Sequence, residues 1–437
     1  MEKRHPKGLA ILFVTEMMER FSFYGMRAIL VLYLIKETMG NNPGLGWTKV
    51  DALALYGWYT MLVYVMSIPG GIIADKFLGQ KKTVFLGGML IAAGHLTLAL
   101  DNMTAFYSGL VLLISGVGCL KPNISSMVGS LYKPGDSRRD SGFTIFYIGI
   151  NIGAATAPLL VGYIGEVYGW HYGFGLAGIG MLLGQTVYLL GQKHLKEVGN
   201  FLPIKKEPGK SKTKALTKIE KDRVIVLLIS FIIVIVFWGA YEQAGGLMNI
   251  YTNEKIDRVI FGWEIPASLF QSVPAIFVII FGTIVAGFWN KRQKKGKETS
   301  SLFKMAIGTM VMGTGFLMMT GAAMQAVDGT KAMLIWLILS YLLQVIGELS
   351  ISPVALSFIT KLAPVKYASI MMGIYFAASG LGNKLAGIIG ELATSLGELE
   401  VFTGIFIFCV LFGALLLVFF KKLNTLTHGA ENINEGL

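Results

Sequence analysis

The chain has 437 residues, of which 54% are hydrophobic and only 15% are charged, whereas a soluble globular domain usually carries about 25% charged residues. This composition excludes an ordinary water-soluble enzyme. The net charge is +12 at pH 7, and the two cysteines are too few for a disulfide framework or a thiolate metal site.

Apolar blocks recur along the whole chain. At 1.5 Å per residue, a block of about 20 residues crosses a hydrocarbon layer of about 30 Å. The blocks between polar breaks predict twelve membrane-spanning helices and therefore an all-α membrane protein. The predicted spans are 8–35, 50–74, 83–100, 104–131, 141–165, 172–192, 224–248, 264–289, 301–327, 332–360, 366–392 and 398–420.

The basic residues predict the orientation of these helices. With the N-terminus in the cytoplasm, the inner segments hold 29 of the 38 Lys and Arg, and the outer loops hold 5. Cytoplasmic loops of membrane proteins carry such an excess. We therefore predict a multi-pass protein of the cytoplasmic membrane with both termini in the cytoplasm. Because the topology explains the cations, we expect a lipid bilayer and no nucleic acid as partner.

A polar, Lys-rich segment divides the helices into two sets of six. We predict an N-terminal six-helix bundle over 1–192, a cytoplasmic linker over 193–222, a C-terminal six-helix bundle over 223–422 and a cytoplasmic tail over 423–437. The linker is interpreted as a solvated tether, with a docking or lipid-binding element as the alternative. Two sets of six helices predict a structural pseudo-repeat.

Eight charged side chains fall well inside the predicted spans, away from the span ends. A charge at the centre of a membrane helix costs about 2.5–3.5 kcal/mol, so these side chains must face one another or water. Ion pairs that only fix helix packing are one interpretation, and for Lys384 alone it is the better one. A polar transport pathway explains all eight together: Glu16, Glu19, Arg20, Arg27, Lys121, Glu242, Glu348 and Lys384.

The first helix carries the densest group of these charges. At 100° per residue, Glu16, Glu19, Arg20 and Arg27 fall on one stripe. Glu16 and Arg20 form an i,i+4 pair, and Glu19 competes for the same guanidinium. The proton affinity of a carboxylate depends on burial and on neighbouring cations, so a helix movement that separates these groups would change it. The pattern therefore predicts a proton-sensitive switch.

The segment Glu16-Met17-Met18-Glu19-Arg20-Phe21-Ser22-Phe23-Tyr24-Gly25-Met26-Arg27 resembles the ExxERFxYYGxR signature of the proton-dependent oligopeptide transporter family, within the major facilitator superfamily. Further similar segments follow in family order in helices 4, 5, 7 and 10. They are Lys121-Pro122-Asn123, Phe146-Tyr147-Ile148-Gly149-Ile150-Asn151-Ile152-Gly153, Phe237-Trp238 with Glu242-Gln243, and Gly347-Glu348-Leu349 with Ser352-Pro353. The Gly-rich inner turn over 70–82 is similar to the loop between helices 2 and 3 of the superfamily.

The resemblance implies the major facilitator superfamily fold, with a central charged cavity. In it, Arg20 and Lys121 attract the carboxylate of a peptide, while Glu348 and Asn151 meet the amino end. The opposite charges agree with a zwitterionic substrate, and mixed pockets agree with variable side chains. The cavity wall implied by the resemblance includes Tyr24, Tyr64, Trp238 and Ser352, although helix packing explains each aromatic residue equally well.

The resemblance also implies residues for proton coupling. Glu242 is the first candidate, and Glu16 and Glu19 with Arg20 are the second. Arg27 with Glu242 resembles the family's pair between helices 1 and 7. A bridge between Lys121 and Glu348 is expected to join the bundles across the cavity.

Three residues depart from the family pattern. Phe23 stands where Tyr is common, Val273 replaces a frequent Asn, and Tyr375 replaces a frequent Trp. Each change removes or moves a polar contact, so the substrate preference is expected to differ while the peptide class is retained. Many bacterial members also have two additional helices between the bundles, which the polar segment 191–221 is not apolar enough to supply.

The sequence thus predicts a proton-coupled symporter that imports di- and tripeptides, acts as a monomer and needs no cofactor beyond the proton gradient. The alternative is a family relative that transports nitrate, peptide-like drugs or another small anionic solute. An enzyme is not expected, because no nucleophile, base and orienting group occur together and HExxH and CxxC are absent. A receptor or channel is the remaining class.

Overall fold

The computed structural model describes residues 4–133, 136, 138–196, 198–201, 216–364 and 367–430. Parts of the predicted linker and tail lie outside the described residues. Twelve helical spans follow one another in these residues. They are α1 Lys7–Ile35, α2 Lys49–Leu78, α3 Gln80–Leu98, α4 Met103–Ser130, α5 Arg139–Val167, α6 Trp170–Leu190, α7 Lys218–Lys255, α8 Ala267–Lys294, α9 Ser301–Gln325, α10 Leu334–Leu362, α11 Ala368–Leu396 and α12 Glu398–Thr425.

The number and order of the helices confirm the twelve predicted spans. Within the described residues, nine of the helices are long and apolar enough to cross a membrane by composition alone. The first helix is not among the nine, because it contains Glu16, Glu19, Arg20 and Arg27. The charges that weaken its hydropathy are those that the sequence singled out.

The turn after α2 is shorter than predicted. The helix continues through a π-helical turn, Ala74–Leu78, and α3 begins at Gln80. Only Gly79 lies between them, with φ of +77°, a conformation that glycine adopts without a steric penalty. The predicted span 50–74 was therefore too short.

The seventh span is longer than predicted and is interrupted. It consists of the helix Lys218–Tyr241, a 3₁₀ turn Glu242–Ala244 and the helix Leu247–Lys255. The sequence predicted one continuous helix over 224–248, since the apolar run is unbroken and glycine is tolerated in membrane helices.

Four two-residue strands lie in the described connections between helices. Ile256–Asp257 pairs in parallel with Ala332–Met333, and Val259–Ile260 pairs antiparallel with Trp263–Glu264. The sequence did not predict them. They are too short to change the fold class.

The described residues cluster into two compact units. One takes Met1–Lys205 with Arg258–Ile276, and the other takes Lys206–Asp257 with Phe277–Leu437. The first unit thus includes the start of α8 in addition to the first six helices.

The start of α8 is held in the first unit by Glu166 of α5. Its carboxylate accepts hydrogen bonds from the backbone N–H of Ala267 at 2.9 Å, the backbone N–H of Ser268 at 3.0 Å and the Ser268 hydroxyl at 2.8 Å. These N–H groups lie in the first turn of a helix and have no intrahelical partner. A carboxylate there also interacts favourably with the helix dipole.

Three helix pairings of the first unit recur in the second. In the first unit, α3 packs against α4 and α6, and α1 packs against α5. In the second unit, α9 packs against α10 and α12, and α7 packs against α11. The three pairings of the second unit thus repeat those of the first with every helix number raised by six, which supports the predicted pseudo-repeat. The close packing of α1 against α6 is not repeated to the same extent between α7 and α12.

The helices of the first unit approach closely where glycines face each other. A Cβ atom on Gly70 of α2 would overlap the backbone carbonyl of Gly118 in α4. Small residues at such contacts allow membrane helices to pack backbone against backbone. Gly70 therefore fixes where α2 crosses α4.

Candidate functional site

The charged stretch of α1 is buried in the first unit. The Arg20 Nε atom lies 3.1 Å from Glu16 Oε1 and is also paired with the Glu19 carboxylate. None of the three side chains is more than 5% exposed. One guanidinium therefore serves two carboxylates, as the spacing of the sequence predicts, and a proton on either carboxylate would change this balance.

The glycines of α5 bring this helix against the charged stretch. A Cβ atom on Gly153 would overlap the carbonyl oxygen of Met17 and lie 3.0 Å from the Arg20 Cβ. On the same helix, the amide of Asn151 donates to the carbonyl oxygen of Tyr147 at 2.9 Å. The Asn151 side chain is buried, and its amide group is bonded within its own helix.

The second arginine of α1 is held by two tyrosines. The Arg27 Nε atom donates to the hydroxyl of Tyr56 at 2.9 Å, and the guanidinium carbon lies 5.6 Å from the ring centroid of Tyr24. Arg27 is 7% exposed and Tyr56 is 1% exposed. Tyr56 was not among the predicted site residues, because it lies in an apolar block without a motif.

Lys121 of α4 lies over an aromatic ring. Its Nζ atom is 3.7 Å from the ring centroid of Tyr64 in α2. The neighbouring Pro122 has no N–H group and cannot donate to the preceding turn. Asn123 donates to the carbonyl oxygens of Cys119 at 2.7 Å and Gly70 at 3.3 Å, and so ties this turn to α2.

In the second unit, Glu242 lies where α7 is interrupted. It ends the helix Lys218–Tyr241, begins the 3₁₀ turn and is 7% exposed. The amide of Gln243 donates to the carbonyl oxygens of Gly239 at 3.0 Å and Ala386 of α11 at 2.9 Å. The interruption is therefore attached to α11, which holds the backbone around Glu242 in place.

Glu348 of α10 receives a hydrogen bond that the sequence analysis did not predict. The hydroxyl of Tyr241 in α7 donates to Glu348 Oε2. Among the described residues, the Ser352 hydroxyl, one turn further along α10, has no hydrogen-bond partner. Tyr241 directly precedes the Glu242-Gln243 pair of the family resemblance. This position is the signal by which the sequence could have marked Tyr241 as a site residue.

The predicted site residues are divided between the two units. The first unit contains Arg20 with the carboxylates of Glu16 and Glu19. It also contains Arg27, which lies over Tyr24, and Lys121, which lies over Tyr64. Trp238, Glu242, Glu348 and Ser352 belong to the second. Within the described part of the chain, no group of three or more His, Cys, Asp or Glu is placed to hold a metal ion. These groups are suited to binding charged ends of a solute and to exchanging protons.

The PTR2 family model, described as the POT family, matches residues 81–217 and 200–402. The chain belongs to the POT family of proton-dependent oligopeptide transporters. It is an all-helical membrane transporter of the major facilitator superfamily with twelve helices. This family consists of transporters, which need no cofactor, rather than enzymes.

Individual relatives cover almost the whole chain. An uncharacterised transporter, YclF of Bacillus subtilis (strain 168), is 38% identical over 95% of this chain and 93% of its own. A di-/tripeptide transporter of Lactococcus lactis subsp. lactis (strain IL1403) is 34% identical over 96% of each chain. A crystal structure of a peptide transporter POT mutant in complex with alafosfalin is similar with a TM-score of 0.91 and 34% identity, covering 98% of this chain and 96% of that chain.

The structure shows where the three residues that depart from the POT pattern lie. The buried Phe23 ring packs edge-on against Tyr24 at 5.4 Å and lies 5.7 Å from the Arg20 guanidinium carbon. Tyr375 is buried and packs edge-on against Phe376 at 5.7 Å. Val273 begins the α-helical part of α8. At Phe23 an aromatic ring, rather than a hydroxyl group, therefore meets the guanidinium.

Lys384 of α11 has an acidic neighbour on its own helix. Its Nζ atom lies 3.6 Å from Glu391 Oε1. A packing role was the favoured interpretation of Lys384 taken alone, and this pair supports it. Glu391 was not among the charged residues assigned to the spans.

Proposed function

We propose that this chain is a proton-coupled symporter that imports di- and tripeptides by alternating access around a central charged cavity. The observation that carries the proposal is the buried guanidinium of Arg20, shared by Glu16 and Glu19. A buried charge is tolerated in a membrane helix when it is paired and functional. The name of the Lactococcus lactis relative and the alafosfalin complex of the similar structure support a peptide substrate.

Different residues are assigned to the two ends of a peptide. Arg20 and Lys121 are assigned to the carboxylate end, and Glu348 and Asn151 to the amino end. The remaining proposed wall residues are Tyr24, Tyr64, Trp238 and Ser352. A few fixed charges with aromatic walls favour recognition of the peptide backbone over any one side chain.

Proton coupling is assigned first to Glu242 and second to Glu16 and Glu19, with Arg20 and Arg27 as basic partners. The location of Glu242 at a helix interruption supports this choice, because a change of charge there acts on a backbone that lacks a regular helical turn. The pairs of Arg27 with Glu242 and Lys121 with Glu348 stay predictions. Charge exchange within each pair tests them, since a true pair recovers part of the uptake that both single mutants lose.

The cellular setting is also part of the proposal. The protein is a multi-pass membrane protein, and we assign it to the cytoplasmic membrane with both termini inside, as a monomer. The distribution of Lys and Arg supports this orientation. The bundles 1–192 and 223–422, the linker 193–222 and the tail 423–437 are proposed as its functional divisions.

Competition between solutes tests the substrate class. Uptake of labelled dialanine into proteoliposomes is measured with unlabelled dialanine, N-acetyl-dialanine or nitrate as competitor. The proposal predicts strong inhibition by dialanine, weaker inhibition by the N-blocked compound and none by nitrate. Equal inhibition by both peptides, or inhibition by nitrate, would favour an anion or drug transporter that lacks recognition of the amino group.

A further inference from the structure

We propose that Tyr241 is a positioning residue that sets how strongly Glu348 recognises the amino group of the substrate. The inference rests on the proposed function, because it concerns the group assigned to the amino end. The hydroxyl of Tyr241 donates to Glu348 Oε2, and both residues belong to the second unit. The contact therefore forms within one compact unit, between α7 and α10.

The ring that carries this hydroxyl is fixed by its neighbours. Tyr241 stacks on Phe237, with ring centroids 5.4 Å apart and an angle of 22° between the planes. Trp238 meets it edge-on at 5.5 Å. Phe237 is fully buried, so the stack has a rigid base. Aromatic pairs in these two arrangements restrict the movement of the rings, and the hydroxyl is held in one place.

The backbone under this aromatic group is also held. Gln243 binds the carbonyl oxygen of Ala386 in α11 at 2.9 Å, two residues beyond Tyr241. A Cβ atom on Gly382 of α11 would lie 2.6 Å from the Trp238 Cβ, so α11 packs directly against the same turn of α7. The backbone that carries Tyr241 is thus held against α11, which restricts the movement of the hydroxyl that donates to Glu348.

A carboxylate can accept hydrogen bonds from more than one group, because an ionised carboxylate has about four lone-pair positions. The amino group of a substrate would meet a Glu348 carboxylate whose orientation the Tyr241 hydroxyl already restricts. Orienting a binding group before the ligand arrives lowers the entropy lost on binding. Removing the hydroxyl should therefore weaken recognition of a free amino group selectively.

The test compares wild type with Tyr241→Phe, which keeps the ring and removes only the hydroxyl. In proteoliposomes, the expected change is a rise of about tenfold in the KM for dialanine, equivalent to about 1.4 kcal/mol. The inhibition constant of N-acetyl-dialanine is expected to change less than twofold, and kcat is expected to be retained. Tyr251→Phe is the matched control. Tyr251 also lies in α7, and within the described residues its buried hydroxyl has no hydrogen-bond partner.

A second variant tests the same contact from the other side. Glu348→Asp keeps the charge but withdraws the carboxylate by one methylene group from the Tyr241 hydroxyl. Tyr241→Phe should then have less than a twofold effect in the Glu348→Asp background, because residues that act through one contact are not additive. An unchanged tenfold effect in that background would overturn the inference.

The outcomes separate this inference from the proposed function. Wild-type uptake of dialanine, with Tyr241→Phe changing both peptide constants equally or neither, would overturn only the role of Tyr241. Failure of the folded wild type to take up dialanine would overturn both. A selective loss of free-amine recognition that vanishes in the Glu348→Asp background would establish the role of Tyr241.

Discussion

The ammonium group of Lys121 lies over the ring of Tyr64, with 3.7 Å between Nζ and the ring centroid. Cation–π contacts of this kind contribute about 0.5–1 kcal/mol at exposed sites and about 2 kcal/mol when desolvated. The contact joins α4 to α2 within the first unit. It holds the lysine that we assign to the carboxylate end of the peptide.

Two substitutions of Tyr64 distinguish the contribution of its ring from that of its hydroxyl. Tyr64→Leu should raise the KM for dialanine by about three- to tenfold, because the ammonium group loses the ring. Tyr64→Phe keeps the ring and is the control, with an expected change below twofold. Initial uptake rates at varied dialanine concentration measure both. A larger loss in Tyr64→Phe than in Tyr64→Leu would contradict a role for the ring.

Arg20 should be essential for the stability of α1 as well as for transport. Its removal in Arg20→Ala leaves the carboxylates of Glu16 and Glu19 buried without their shared cation. Breaking a buried ion pair on one side costs about 3–5 kcal/mol, so the melting temperature of the purified protein should fall. Arg223→Ala is the control, since this partly buried arginine donates to the carbonyl oxygen of Thr427.

Neutralising the acids should reverse that loss. The triple variant Arg20→Ala, Glu16→Gln, Glu19→Gln removes all three charges together, and it should melt closer to wild type than Arg20→Ala does. Thermal unfolding in detergent measures the set. A triple variant that melts below Arg20→Ala would show that the carboxylates do not depend on Arg20.

The carboxylate of Glu166 should stabilise the start of α8. Glu166→Gln replaces one acceptor oxygen by a donor group that faces the N–H groups of Ala267 and Ser268. An unsatisfied buried donor costs about 1–3 kcal/mol, so the melting temperature should fall. Glu37→Gln, at an exposed carboxylate, is the control and should change stability by less than about 0.5 kcal/mol. Equal melting temperatures for the two variants would contradict the capping role.

Two neighbouring glycines of α2 should respond differently to the same substitution. A Cβ atom on Gly70 would overlap the carbonyl of Gly118, whereas one on Gly71 would meet no other heavy atom of the described residues within 4 Å. Gly70→Ala should reduce the yield of folded protein and its melting temperature. Gly71→Ala should be neutral or stabilising by up to about 1 kcal/mol. Fluorescence size-exclusion chromatography with a melting series distinguishes them, and similar profiles would contradict the close contact.

Much of this fold follows from the sequence alone. The apolar blocks and the distribution of Lys and Arg predict twelve helices, and the spacing of Glu16 and Arg20 predicts their ion pair. Both features depend on local periodicity and on the requirements of a bilayer. The continuation of α2 to Leu78 and the interruption of α7 at Glu242 were not predicted. Membrane helices tolerate glycine in their interior, so the glycines near both places do not show whether a helix ends or continues.

Contacts between distant segments could not be read from the sequence. Tyr56 and Tyr241 lie in apolar blocks where an aromatic residue is expected for packing alone, and only the fold shows that their hydroxyls meet Arg27 and Glu348. Glu166 lies near the end of a helix, more than 100 residues from its partners. Such pairings depend on tertiary packing, which local patterns do not specify.

Proton-driven accumulation of dialanine tests the proposed symport most directly. Wild type and Glu242→Gln are reconstituted separately, and uptake of labelled dialanine is followed with an inward proton gradient imposed or collapsed. Wild type should concentrate the peptide only while the gradient exists. Glu242→Gln should exchange peptide between equal concentrations but not concentrate it, because proton binding and substrate binding no longer bias the same two states. Folded wild type that takes up no dialanine, or accumulates it equally without a gradient, would contradict proton-coupled peptide transport.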